Sequence, residues 1–281
     1  MGSLSDKTVV FGASGYLGVF LVERLISMGY TNIVSVSRGE AAQVALKTKF
    51  PSVSIRIGDI ADPLIVKEAM LYAGQCFVCS ALKHVGLSEQ EVDSCVSTNI
   101  VGLQNIIRES RMTEPRFVMF ISSDKASQPN GVYGCSKKIG EKLMEQAQFS
   151  NPFTKYRTVR YGNVLYSSGS VLCKWRDKMK KGEEIIVTDV DSTRFFWSVD
   201  QAIDLIFECI EKAEDATPYI TAMKSIRLGD LLEAMMEKYG HVPVKTIGLQ
   251  IGENMHEVIV PELPNSFHSE RYTKEEILNL I

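Results

Sequence analysis

The sequence lacks any apolar run of about 18 residues, the length a helix needs to cross a bilayer. It opens without the charged-then-apolar layout of a secretory leader. It has no positive excess either. A net charge of -3 gives no electrostatic reason to expect nucleic acid or an anionic membrane as partner. Its six cysteines follow no disulfide framework, which points to a reduced, cytoplasmic protein. Cys76 and Cys79 form a Cys-x-x-Cys, but inside the apolar run "QCFVCSAL" and without a second pair. His84, His241, His256 and His268 have no metal-ligand spacing, so no metal is expected. No repeat or low-complexity linker divides the 281 residues, a length sufficient for one large domain or two small ones.

What is present is alternation. "TVVFGA", "NIVSVS", "VSIRIGD", "QCFVCSAL", "RFVMFISS" and "TVRYGNV" read as six strands, with helical stretches such as "YLGVFLVERLISMG" and "SKKIGEKLMEQAQ" among them. This order predicts an α/β fold, a doubly wound parallel sheet with helices on both faces. The dinucleotide-binding domain is expected over residues 1–165. Residues 166–281 are expected to form mainly a smaller substrate-binding lobe, with about 196–213 returning to the first domain. That lobe would close over the carboxyl edge of the sheet, where open α/β folds bind ligands.

"FGASGYLG" joins the first strand to the first helix and spaces Gly12, Gly15 and Gly18 as Gly-x-x-Gly-x-x-Gly. Such glycines permit a tight turn, backbone approach to a pyrophosphate and close helix–sheet packing, with the helix N-terminus facing the phosphates. The second strand ends in Ser37 and Arg38, where an NAD enzyme usually carries an acid for the ribose hydroxyl. An arginine suits a 2′-phosphate, so NADP is the expected cofactor. Asp59, after the third strand, is placed to approach the adenine.

"SSDKASQPNGVYGCSK", Ser122 to Lys137, holds Tyr133 and Lys137 one helical turn apart. The glycine triad followed by this Tyr-x-x-x-Lys resembles the extended short-chain dehydrogenase/reductase superfamily. The resemblance implies that Tyr133 is the base for a substrate hydroxyl and that Ser123 orients the same hydroxyl. A free tyrosine titrates near pH ~10, and a neighbouring ammonium and the positive nicotinamide both favour its phenolate. The same stretch carries Asp124 and Lys125. A simple dehydrogenase or 4-epimerase has no use for that extra pair, whereas removal of water across C5 and C6 of a hexose needs both an acid and a base. In nucleotide-sugar 4,6-dehydratases such a pair stands at this strand end, often as Asp-Glu. Here Asp124 is the expected acid and Lys125 the expected base, its pKa lowered by desolvation and nearby positive charge.

"ALKHV", "TNIVG", "VRYGNV", "SGSV", "TDVDSTRFF" and "GENMHEVIVPE", together with the Asp-Lys stretch, resemble the UDP-N-acetylglucosamine 4,6-dehydratases of polysaccharide and flagellin-sugar biosynthesis. Tyr133 and the short chain resemble the inverting branch, which also epimerises C5. The resemblance implies a UDP-2-acetamido-2,6-dideoxy-β-L-arabino-hex-4-ulose product, a UDP-sugar partner, and a homo-oligomer, either dimer or hexamer. It implies further cofactor contacts at Ser14, Gly15, Tyr16, Leu17, Ile60, Ala81, Lys83, Asn99, Tyr161 and Val164. Substrate contacts are implied at Lys83, His84, Asn163, Ser170, Val171, Thr188, Arg194, Gln250 and Glu253, with Arg194 pairing a phosphate. Two family arginines are absent, replaced by Ser168 and Gln250; Lys174 and Arg176 are the cations nearest in sequence to make up the charge. The competing readings are another nucleotide-sugar 4,6-dehydratase or a 4-epimerase, and, without catalysis, an NADP-sensing regulator.

Overall fold

A computed structural model of the chain describes residues 4–167 and 169–281. Its first half alternates strand and helix: β1 (Lys7–Phe11), α1 (Tyr16–Ser27), β2 (Ile33–Ser37), α2 (Glu40–Lys49), β3 (Ser54–Ile57), α3 (Pro63–Met70) and β4 (Ala73–Val78). Two short helices, α4 (Val85–Gln90) and α5 (Val92–Val96), lead through a π-turn into α6 (Gly102–Thr113), then β5 (Phe117–Ile121), α7 (Val132–Ser150) and β6 (Lys155–Val159). The second half contains β7 (Asn163–Val164), α8 (Val171–Lys181), β8 (Ile185–Val187), β9 (Thr193–Trp197), α9 (Val199–Lys212) and β10 (Pro218–Tyr219). It closes with β11 (Ser225–Arg227), α10 (Leu228–Tyr239), β12 (Val244–Thr246) and α11 (Lys274–Leu280).

The main sheet has strand order β10-β6-β5-β4-β1-β2-β3, and every pairing in it is parallel. This is the Rossmann-like arrangement expected from the alternation, with β10 as a seventh strand the sequence pattern did not announce. A parallel sheet is covered on both faces, so its strands are apolar throughout. Val9, Val10 and Phe11 of β1 are all fully buried. Val10 and Phe77 pack on one face with Leu21, Leu25 and Ile206. Val9 and Phe11 pack on the other with Ile106, Phe120 and Met144. Helix α9 therefore lies against α1 on the first face, and Arg24 adds an ion pair to Asp204.

One strand expectation is corrected. "TVRYGNV" is not one strand: β6 ends at Val159, and Asn163–Val164 pairs instead with β9 in a separate three-stranded sheet, β11-β9-β7. The chain turns away where Gly162 packs on Phe195; a Cβ there would come within 2.5 Å of the Phe195 Cβ. That departure carries the backbone from the sheet edge into a third apolar cluster, which includes Leu172, Trp175, Phe196 and Leu231. The groove between this cluster and the carboxyl ends of β1, β4 and β5 is the principal cleft. Among the described residues no helix is long and apolar enough to cross a membrane.

Candidate active site

The cleft has a volume of about 480 Å³. One end is the loop between β1 and α1. Gly12 has φ +84°, and a Cβ there would sit 2.5 Å from the backbone nitrogen of Ser80, so the backbone just after β4 leaves room only for hydrogen. At Gly18 a Cβ would lie 2.3 Å from the Gly12 carbonyl oxygen. The turn is thus as tight as the glycine spacing implied. Helix α1 begins with no side-chain cap and no acidic residue in its first turn. Its free N–H groups and partial positive charge face the cleft, an arrangement that fits a pyrophosphate. These residues therefore fit a dinucleotide. Tyr16 reaches across the groove and donates a 2.9 Å hydrogen bond to the Leu165 carbonyl, joining the glycine loop to the smaller lobe.

At the far end stands the loop after β5. Ser123 caps a short 3₁₀ turn over Asp124–Ala126: its hydroxyl accepts from the Lys125 amide and donates to Asp124 Oδ1 at 3.0 Å. Asp124 is buried, and that burial raises its pKa above the usual carboxylate value. Its Oδ2 has no hydrogen-bond partner among the described residues. Tyr133 lies in the first turn of α7, whose opening amide, that of Val132, donates to Glu89 Oε1 at 2.6 Å. Lys137, one turn on, is 3% exposed; its Nζ donates to the Ile121 carbonyl at 2.7 Å and lies 4.7 Å from the Phe120 ring centroid.

The electrostatics correct two expectations. Burial raises the Tyr133 phenol, only partly offset by its hydrogen bond with Ser123, rather than the Lys137 ammonium lowering it. Burial instead pulls Lys137 itself down to about 8. Lys125 was expected to have a lowered pKa, and burial does act in that direction. The Asp124 and Glu257 carboxylates outweigh it and raise the value. Lys125 Nζ is 2.7 Å from Glu257 Oε1 and 3.5 Å from Asp124 Oδ1, with its side chain 13% exposed. In the resting cleft it is an ammonium ion.

The structure brings most of the expected residues into one cleft. Gly12, Gly15, Tyr16 and Leu17 line the cofactor end, and Ala81, Lys83 and His84 the β4 edge. Ser123, Asp124, Lys125, Tyr133 and Lys137 lie opposite, followed by Tyr161, Asn163 and Val164. Ser170, Val171, Thr188, Arg194 and Glu253 come from the second half of the chain. Lys83 has no hydrogen-bond or ion-pair partner among the described residues, and burial lowers its pKa. His84 is lowered by burial and by the Lys83 and Lys174 charges.

Other expected residues stand elsewhere. Ser14 and Ser37 bond each other at 3.3 Å, backbone N–H to hydroxyl, beyond the enclosed cleft. Arg38 and Asp59 face each other at 3.5 Å on the exposed rim. Ile60 is buried beneath α6 against Gly102. Asn99 is also buried; it binds both the amide and the carbonyl of Leu82 and donates to the Ser136 hydroxyl. It holds the β4 loop and α7 together rather than lining the cleft. Gln250 is exposed, its side chain turned to the Gly248 carbonyl. Ser168 lies outside the described residues. Arg194, expected on a phosphate, has its guanidinium engaged by the Thr193 and Met255 carbonyls and by Glu257 at 3.6 Å. The sequence reading missed Glu257. The one signal was an acid in "GENMHEVIVPE", a stretch with no local basic partner.

A glycine-loop nucleotide cleft faced by Ser123, Tyr133 and Lys137 on a parallel sheet defines an extended short-chain dehydrogenase/reductase fold. The profile of the polysaccharide biosynthesis protein family matches residues 8–277, and the chain belongs to that family. It is 34% identical over 285 residues to an uncharacterized membrane protein of Methanocaldococcus jannaschii, covering 97% of this chain and 84% of that one. It is 29% identical over 258 residues to the inverting UDP-N-acetylglucosamine 4,6-dehydratase of Campylobacter jejuni, covering 90% and 76%. Among solved structures, Pen from Bacillus thuringiensis superimposes with a TM-score of 0.93 at 29% identity, covering 99% of this chain and 98% of that one.

Proposed function

We propose that the protein is a nucleotide-sugar 4,6-dehydratase that acts on UDP-N-acetylglucosamine, with resident NADP and inversion at C5. The observation that carries this reading is the Asp124–Lys125 pair, lining the same cleft as Tyr133. The similarity to the Campylobacter jejuni enzyme supports the choice of sugar. Arg38 on the open rim supports a 2′-phosphate there.

The cofactor, when bound, supplies a hydride acceptor for C4 and a donor for C6. The glycine loop and α1 N-terminus hold its pyrophosphate, and Arg38 its adenosine end. Tyr133 receives the C4 hydroxyl proton as the phenolate, after its own phenolic proton has passed to solvent. Its raised pKa makes it a strong acceptor once ionised, and Ser123 holds the hydroxyl in line. Lys137 donates to the Ile121 carbonyl beneath the sugar site.

Dehydration then needs a neutral amine and a neutral acid, whereas the resting pair is an ammonium and a carboxylate. Passage of one proton from Lys125 to Asp124 produces both without changing net charge. Burial favours that exchange because it disfavours both charged forms. Lys125 then takes the C5 proton, and Asp124 gives its proton to the C6 oxygen, which leaves as water. The pair returns to its resting charges. Inversion follows when a solvent water gives C5 a proton on the face away from the one Lys125 deprotonated, the proton gained by Tyr133 returning to solvent.

Purified protein incubated with UDP-N-acetylglucosamine and no added cofactor should yield a 4-keto-6-deoxy sugar nucleotide, identified by NMR. A C4 epimer, or unchanged substrate in protein shown to contain cofactor, refutes the dehydratase reading.

A further inference from the structure

Resting on the dehydratase reading, the cluster behind Lys125 assigns a role to a residue that does not line the cleft. Glu257 is 1% exposed and stands outside the cleft wall. Its backbone is pinned on both sides by Ser266: the Glu257 amide donates to the Ser266 hydroxyl at 2.7 Å, and the Ser266 amide donates to the Glu257 carbonyl at 2.8 Å. The Ser266 hydroxyl is itself 2.7 Å from that of Thr193, at the start of β9. The backbone that carries the carboxylate is therefore held in place before the side chain meets Lys125.

Its Oε1 is shared. It lies 2.7 Å from Lys125 Nζ and 3.6 Å from Arg194 Nε, while Oε2 accepts from Asn254 Nδ2 at 3.4 Å. The charged groups facing Lys125 are Asp124, Glu257 and Arg194. Two acids thus balance two bases, of which only Lys125 is partly exposed. Loss of one member leaves an uncompensated charge in a site largely withdrawn from water. Asp124 is the nearer in sequence, yet Glu257 is the closer charge, 2.7 Å against 3.5 Å, so its carboxylate is the stronger electrostatic restraint on where the amine sits.

We propose that Glu257 is the positioning residue for Lys125: its carboxylate aims the amine at the sugar and sets the pH at which that amine becomes free to take a proton. It forms no bond to substrate and loses none.

Glu257→Gln tests this, because the amide keeps the shape and removes the charge. With one carboxylate gone the ammonium is less favoured, so the free amine appears at lower pH. An opposite charge at this distance is worth about one pKa unit or more. In the cofactor-loaded variant, exchange of the C5 hydrogen into heavy water should slow about tenfold through lost aim. The rising limb of its Lys125 methylation rate against pH should move down by about one unit. The first step, followed by the near-ultraviolet absorbance of reduced nicotinamide, should persist. Glu257→Asp, which keeps the charge, should retain the wild-type limb at a reduced rate.

A second readout does not depend on turnover. Reductive methylation of Lys125 by formaldehyde, mapped by mass spectrometry, should be several-fold faster at neutral pH in Glu257→Gln than in wild type. If wild type makes no keto sugar, the dehydratase reading fails while the methylation rates still decide the Glu257–Lys125 linkage. Coincident pH limbs, unchanged methylation, or equal loss of both steps without recovery in Glu257→Asp overturns the proposal.

Discussion

The two halves of the cleft are built differently. The Tyr133–Lys137 half sits within one turn of α7, and its lysine is anchored by β5, the strand just before it. The Asp124–Lys125 half is completed by Glu257 and Arg194, 132 and 69 residues beyond Lys125. In the first half, burial pulls the lysine down; in the second, paired carboxylates raise it. Burial alone is therefore a poor guide to a lysine's protonation. What decides is how closely the fold pairs a carboxylate with the amine: Lys125 meets Glu257 at 2.7 Å, whereas Lys137 bonds a neutral carbonyl and the Glu141 carboxylate, engaged by Arg160, does not offset its burial.

Substitutions in the two halves should separate in effect. Tyr133→Phe removes the acceptor for the first proton and should lower turnover by about 10⁴, the upper end of general acid–base contributions, with no reduced-nicotinamide absorbance on mixing with substrate. Lys125→Ala should lower product formation by about 10³ yet let that absorbance accumulate, since only the later step needs the amine. Equal, small losses in both variants would erase the division between the halves.

The third test concerns protonation and stability at Lys137. Its folded value of about 8 lies below its ordinary 10.5, so between those pH values the unfolded chain holds more protons than the folded one. Stability then rises with pH across that window as the buried ammonium is relieved. In urea unfolding, wild type should gain ~3 kcal/mol relative to Lys137→Met between pH 8 and 10.5. A flat difference would mean that Lys137 is not desolvated as described. Smallest in effect is Arg38→Asp at the open rim, which should weaken NADP relative to NAD by about tenfold, measured as cofactor affinity. An unchanged ratio would remove the rim from cofactor choice.

How much of this was legible beforehand follows from sequence distance. The strand–helix alternation announced six strands of the parallel sheet, but β10 is two residues long and has no pattern of its own. The "TVRYGNV" run misled because Arg160 and Tyr161 stay buried and Asn163–Val164 is again extended after the chain has left the main sheet at Val159. Gly12, Tyr133 and Lys137 were readable because turn geometry and helical spacing are local. The protonation of Lys125 was not, because it depends on Glu257 reaching it from a distant loop. Arg194 was visible as a cation, but its engagement with backbone carbonyls depends on the 255–257 segment crossing β9.

The most direct test is to run the reaction in heavy water with UDP-N-acetylglucosamine deuterated at neither C4 nor C5, then locate hydrogen and deuterium in the product by NMR. The dehydratase mechanism predicts a 4-keto-6-deoxy sugar of L configuration, with deuterium at C5 and the hydrogen that began on C4 carried to C6. A C4 epimer with its C5 hydrogen intact would contradict it.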